Sequence, residues 1–280
     1  MTPTRPALRY HGGKWQMADW IIGFFPPHRR YVEVYGGGAS VLLKKPRSPL
    51  EVYNELDDEV VNFFRVLRDP VLAAELERRA RLTPFSRGEF ELAKPCADDD
   101  KVERARKMAV RSYMGFSGSE AQYRSPKENG FRTPSYSVGT CISKSWQAWA
   151  DNVPKLAERL MGVAIERRPA LEVISEYDTH DTLFYVDPPY VHSTRNKFAA
   201  ADGARAMYNY EMSDEEHEAL AVALHAVQGP VVLSGYDCPL YARLYADWRK
   251  ETRMAKTNKN AKKVETLWLN AAVGFEGRLL

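Results

Sequence analysis

Tyr31-Val-Glu-Val-Tyr-Gly-Gly-Gly-Ala-Ser-Val-Leu-Leu43 decides the fold class. Its first five residues are β-branched, aromatic or acidic and have the composition of a strand. Gly36, Gly37 and Gly38 then turn the chain, and Val41, Leu42 and Leu43 open a short helical pattern. Downstream, Leu50-Glu-Val-Tyr53 repeats the strand signal and ends at Asn54-Glu55. The next segment puts Leu56, Val60, Phe63, Phe64 and Leu67 on one helical face. Two successive strand-helix units predict an α/β fold with a parallel sheet.

The rhythm breaks after residue 69. Residues 70–163 read as helical stretches, among them 100–114, without a convincing strand between them. This predicts a core formed by residues 1–69 and 164–280, interrupted by a helical insertion over 70–163. Within the insertion, residues 117–140 form a long polar stretch, and a loop of that length is functional or disordered. Tyr123, Arg124, Lys127, Phe131 and Arg132 give it the aromatic and basic content of a nucleic-acid reader, and a plain surface loop fits as well. The α/β rhythm resumes with the strand Thr182-Leu-Phe-Tyr-Val186. A helix from Ser213 follows, with Glu216 placed for a capping box and Leu220, Leu224 and Val227 facing inward. The strands Pro230-Val-Val-Leu-Ser234 and Thr266-Leu-Trp-Leu-Asn270 complete the pattern.

At 280 residues the chain can bury a sizeable core, and no apolar run is long enough to span a membrane. Residues 1–11 lack the apolar centre of a secretory signal, and the stretch 21–25 is stopped by Pro26-Pro27. Cys96, Cys141 and Cys238 are too scattered for a metal site or a disulfide framework. A cytoplasmic protein with reduced thiols and no metal is expected. The formal charge of +3 does not by itself call for nucleic acid. Local clustering says more. Arg249, Lys250, Arg253, Lys256, Lys259, Lys262 and Lys263 face the single acid Glu251, a composition that suits either a phosphate backbone or a solvated basic loop.

A glycine turn after the first strand of such a sheet is a place for a nucleotide-like cofactor. The dinucleotide pattern beginning at Gly36 is met by Gly38 but fails at its third glycine, which is Val41, so a nicotinamide cofactor is disfavoured. Glu33 in the first strand and Glu55 after the second could meet a cationic amino-acid moiety and ribose hydroxyls, both of which S-adenosylmethionine carries. Each also has a plainer reading, Glu33 as a strand residue and Glu55 as an acid at a helix N-terminus. Arg9-Tyr-His-Gly-Gly-Lys-Trp15 could cover a cofactor with the Tyr10 ring and contact its carboxylate through Lys14, or could be a simple turn.

Asp187-Pro188-Pro189-Tyr190 follows an apolar strand directly, at the carboxyl edge of the sheet. Two prolines stiffen the backbone and remove two N–H donors, leaving rigid carbonyl acceptors. Such a turn suits an aromatic amino nitrogen, whose lone pair is delocalised into the ring. If the Asp187 carboxylate and the Pro188 carbonyl each accept one amino hydrogen, the nitrogen is held with its lone pair aimed at an electrophile. Tyr190 offers a ring on which a base flipped out of a duplex can stack.

With these residues in view the chain resembles the Dam-type DNA adenine methyltransferases and their phage-encoded relatives. The resemblance rests on Tyr10-His-Gly-Gly-Lys14, Glu33-Val-Tyr-Gly-Gly-Gly38, Asn54-Glu55, Asp187-Pro-Pro-Tyr190, Ser234-Gly-Tyr-Asp237 and Glu265-Thr-Leu-Trp268. It implies a Rossmann-like S-adenosylmethionine-dependent core with a helical target-recognition insertion, acting on adenine N6 in double-stranded DNA. It implies that Tyr10, Lys14 and Glu55 bind the cofactor, that Glu33, Gly36 and Gly38 shape its pocket, and that Asp187 lies between cofactor and target. DNA contacts are expected from Arg124, Lys127 and Arg132 and from Lys256, Lys259, Lys262 and Lys263. A cognate restriction enzyme is a candidate partner. Tyr10 and Glu55 stand where the family often has tryptophan and aspartate, and Arg168-Pro-Ala170 replaces an acidic-aromatic pair near the cofactor's adenine. The rival readings are a catalytically inactive DNA-binding module, or methylation of cytosine, RNA or a protein glutamine. By resemblance, aspartate as the first residue of the tetrapeptide favours adenine.

Overall fold

The central strands form where valine, leucine, phenylalanine and tyrosine run together with single Glu or Ser interruptions, and the period of two gives each strand two different faces. The computed structural model describes residues 2–10, 12–94, 100–115, 130–133, 142–191, 211–256 and 262–274, without the side chains of 142, 255, 256, 262 and 263. The strands are β1 (Arg30–Glu33), β2 (Leu50–Asn54), β3 (Val163–Glu166), β4 (Thr182–Val186), β5 (Val231–Gly235), β6 (Arg249–Lys256) and β7 (Lys262–Leu269). They form one mixed sheet in the order β3-β2-β1-β4-β5-β7-β6. β1 pairs in parallel with β2 and β4, β4 in parallel with β5, and the β6–β7 hairpin joins β5 antiparallel. From β1 the chain moves outward to β2, then returns to place β4 on the other side. That reversal makes the β1/β4 boundary the switch point, where an open α/β sheet binds ligands at its carboxyl edge.

The described residues divide into two compact units. One comprises Gln16–Gly36, Lys45–Leu56 and Glu166–Leu280 and holds most of the sheet. One face of its strands presents Val32, Val34, Val52, Phe184, Val186, Val231 and Leu233. The helices α9 (Ala170–Tyr177), α10 (Asp214–Ala226) and α11 (Pro239–Leu244) cover that face with Val173, Ile174, Leu220, Leu224 and Tyr241. The start of α10 is fixed as the sequence predicts, by a capping box between Ser213 and Glu216. Phe25, just past α1 (Ala18–Ile22), packs on the opposite face against Tyr31 and Tyr185.

The other unit comprises Met1–Trp15, Gly37–Lys44 and Asp57–Ile165. It contains α2 (Ser40–Lys44), α3 (Asp58–Arg68), α4 (Pro70–Leu82), α5 (Arg87–Leu92), α6 (Lys101–Met114), α7 (Ile142–Ala150) and α8 (Val153–Leu160). The segment 70–163 lies wholly within it. Asp57 caps α3 by accepting from the Glu59 N–H at 2.9 Å, and α3 buries Val60, Phe63, Phe64 and Leu67. Trp146 and Trp149 stack at 5.1 Å in its core. Three elements differ from the sequence reading. β3 and α9 carry no clear signal in it, and the basic stretch from Arg249 is a β-hairpin arm rather than a loop. No helix among the described residues is long and apolar enough to cross a membrane.

Candidate active site

Register decides which side chains share the face opposite the valines. Glu33 pairs with Tyr185 across β1 and β4, and Tyr185 with Val232 across β4 and β5. Ser234 lies two residues beyond Val232 and pairs with Leu267, two residues beyond Glu265. With a side-chain period of two, Tyr31, Glu33, Tyr185, Ser234 and Glu265 all lie on one face, and Asp187 continues it past the end of β4.

Glu33, Asp187 and Glu265 on that face each receive a hydroxyl. Tyr31 donates its phenol proton to Glu33 Oε2 at 2.6 Å. Ser234 Oγ donates to Asp187 Oδ1 at 2.9 Å, and the Tyr185 hydroxyl lies 3.0 Å behind Ser234 Oγ. Tyr190 donates to Glu265 Oε1 at 2.6 Å, with the Tyr236 ring packed edge-on against its own at 4.5 Å. Glu33 and Glu265 are 2% and 4% exposed, burial that a carboxylate tolerates only with such donors. Burial and the neighbouring carboxylates push the Tyr31, Tyr185 and Tyr190 phenols well above their ordinary range, so all three remain proton donors. The Lys45 ammonium, paired with Glu51 at 2.7 Å, sits 4.5 Å over the Tyr31 ring and fixes the far end of the row.

At the end of β2, Asn54 pins the neighbouring loops. Its amide donates to the carbonyls of Val34 and Arg168, both at 3.0 Å, and its oxygen accepts from the Arg168 N–H. The Asn54 carbonyl accepts from the Gly36 N–H at 2.8 Å. Gly36 lies against the Tyr53 ring, where an added Cβ would fall 2.1 Å from Cε2, so no other residue fits. Glu55, half-buried, accepts from the Leu56 N–H through Oε1 at 2.8 Å.

In the helical unit, Ser112 holds the segment before Tyr10, accepting the Arg9 N–H at 2.7 Å and donating to the Arg9 carbonyl at 3.2 Å. The Tyr10 side chain packs on the second half of the glycine turn. A Cβ at Gly37, whose φ is +46°, would meet the ring at 3.0 Å, and one at Gly38 would meet Tyr10 Cβ at 3.1 Å. Lys14 is buried and donates to the Gly12 carbonyl at 3.0 Å.

A family model for the D12 class of N6 adenine-specific DNA methyltransferases matches residues 10–262, a span that takes in every motif above except the last. The chain belongs to this family. It is also similar to the Type II methyltransferase M.MjaIII of Methanocaldococcus jannaschii, 22% identical over 285 residues, covering 92% of this chain and 93% of that protein. The resemblance drawn from the D-P-P-Y turn and its companions is thereby borne out, and so is the activity it implies. The protein is a DNA adenine methyltransferase that acts on N6.

In this methyltransferase the expected site residues fall in both units. Glu33, Gly36, Glu55 and Asp187 to Tyr190 belong to the sheet unit, and Tyr10, Lys14 and Gly38 to the helical one. Of the residues expected at DNA, Arg132 is described and half-buried, its N–H donating to the Met114 carbonyl at 2.7 Å. Arg124, Lys127 and Lys259, and the side chains of Lys256, Lys262 and Lys263, lie outside the described residues. In the sequence Ser234 and Glu265 stand only as parts of motifs with no task of their own, and Tyr185 only as a strand residue. The signal that gives all three a task is register. Among the described residues no cluster of His, Cys, Asp or Glu could hold a metal ion.

Proposed function

We propose that the methyl donor is S-adenosylmethionine and that the adenine enters the site flipped out of double-stranded DNA. The observation that carries the proposal is the row of hydroxyl-supported carboxylates Glu33 and Asp187 at the β1/β4 switch point, anionic groups suited to a cationic ligand. When bound, the cofactor supplies a methyl group on a positively charged sulfur. Glu33, Gly36, Glu55 and Asp187 are the residues of the sheet unit proposed to hold it. Tyr10, Lys14 and Gly38 are assigned to it from the sequence pattern and the family resemblance.

Asp187 and the Pro188 carbonyl accept the two hydrogens of the adenine amino group and turn its lone pair toward the methyl. The donor would supply its methyl to that lone pair while the S–C bonding pair stays on the sulfur, and the methylated amino nitrogen would then give up a proton. Asp187 Oδ1, already oriented by Ser234, acts chiefly as the positioning acceptor. The rigid Pro188-Pro189 backbone holds the carbonyl in place, and Tyr190 receives the flipped base on its ring, a contact worth about 1–3 kcal/mol. The test is tritium transfer from labelled S-adenosylmethionine to DNA. N6-methyladenine as the labelled base is the expected result, and unlabelled DNA at every sequence tried refutes the donor assignment.

The β6–β7 hairpin, with residues 117–140, is proposed to contact the DNA backbone. Neutralising Lys256, Lys259, Lys262 and Lys263 together should weaken binding and flatten its salt dependence by roughly 0.9 log units for each phosphate that the variant no longer neutralises. Unchanged affinity and slope would remove the hairpin from the interface. A role in restriction-modification accords with the name of the Type II relative.

A further inference from the structure

Asp187 stands beyond the last hydrogen-bonded residue of β4, on a turn whose two prolines cannot donate to it. Backbone pairing therefore ends one residue before Asp187, and a side chain from the neighbouring strand reaches its carboxylate. Ser234, fully buried on β5, reaches it at 2.9 Å. A serine hydroxyl has one proton and two lone pairs. With that proton committed to Asp187, the 3.0 Å contact to Tyr185 is satisfied only if the Tyr185 phenol donates to Ser234. Tyr185 is itself fully buried, and its ring packs against Phe25 at 6.2 Å. The β4–β5 register, pairing Tyr185 with Val232, sets Ser234 beside the residue that follows β4.

We infer that Ser234, with Tyr185 behind it, is the positioning element of the methyl-transfer reaction: a two-hydroxyl relay that sets the rotamer of the Asp187 carboxylate. Neither residue touches the substrate. Both act through Asp187, and the inference rests on Asp187 being the acceptor for the target amino group. Tyr185 orders Ser234, and Ser234 orders the carboxylate, so the two hydroxyls act in series and not in parallel. A serial arrangement has a signature that two independent packing contacts lack: once Ser234 is gone, the Tyr185 hydroxyl has nothing left to do for the reaction.

The test compares Ser234→Ala, Tyr185→Phe and the double variant in the full-length enzyme, by single-turnover methyl transfer at saturating S-adenosylmethionine and DNA. Ser234→Ala should lower the rate by about 10- to 100-fold, the range expected when a reacting group is misplaced by about 1 Å, with KM for DNA changed less than about twofold. Tyr185→Phe should lower it less, and the double variant should match Ser234→Ala alone. A wild-type rate in Ser234→Ala, or losses that multiply in the double variant, would overturn the relay. A crystal structure of Ser234→Ala supplies a readout that needs no turnover: the Asp187 carboxylate should rotate or split between conformers, and an unmoved carboxylate would refute the inference. If the wild type transfers no methyl from S-adenosylmethionine, the donor assignment fails, while the carboxylate's position in that crystal still decides the relay.

Discussion

The two faces of the same three strands, β1, β4 and β5, do different work. On one, Val32, Val34, Phe184, Val186, Val231 and Leu233 meet three helices in an apolar layer. On the other, residues offset by one position form two hydrogen-bonded groups, Tyr31 with Glu33, and Tyr185 with Ser234 and Asp187. A sheet buried on both faces is expected to read as a near-continuous apolar run. Here the runs Val-Glu-Val-Tyr and Leu-Ser-Gly are interrupted, and each interruption falls at the carboxyl edge where the reaction is proposed to take place. The valine face holds the fold together, and the tyrosine face fixes where three carboxylates point.

That division can be broken by substitutions on either face. Phe184→Ala, on the apolar side, should cost about 3–5 kcal/mol of unfolding free energy, read from denaturant melts. Methyl transfer per folded molecule should stay near wild type at low temperature. A stable Phe184→Ala protein that has lost transfer would show that the faces are not separate. The smaller effect belongs to Tyr190→Phe. Loss of the 2.6 Å bond to Glu265 should cost about 1.5–3 kcal/mol of stability or base binding, while the ring remains available for stacking. Binding of DNA carrying an abasic site in place of the target adenine separates the two effects. If Tyr190→Phe binds adenine and abasic DNA in the wild-type ratio and melts like wild type, the Glu265 bond contributes nothing.

The centre of the sheet was legible in the sequence, and its edges were not. β1, β2, β4 and β5 announce themselves through Val, Tyr and Phe bounded by Gly, Asn or Asp-Pro, and all four have a neighbour on both sides. β3 and β6 stand at the two ends of the sheet. An edge strand needs one apolar contact row at most and is protected by charge, so Arg-Lys-Glu-Thr-Arg-Met-Ala-Lys in β6 reads as a basic loop until β7 is seen beside it. The D-P-P-Y turn was legible because proline leaves a covalent signature. The tasks of Ser234 and Glu265 were not, since they depend on pairings between strands 47 and 75 residues apart in the chain. Gly36 carries a related lesson. A glycine after β1 suggests room for a ligand, and at this position the space above its Cα is taken by the Tyr53 ring.

In the proposed mechanism Asp187 joins the polar face to the reaction, so the decisive substitution is Asp187→Ala. Single-turnover transfer of labelled methyl to adenine should fall by about a thousandfold or more while the melting temperature and DNA affinity stay near wild type. Transfer at a near-normal rate in a folded Asp187→Ala enzyme would contradict the role given to this carboxylate and, with it, the purpose assigned to the whole face.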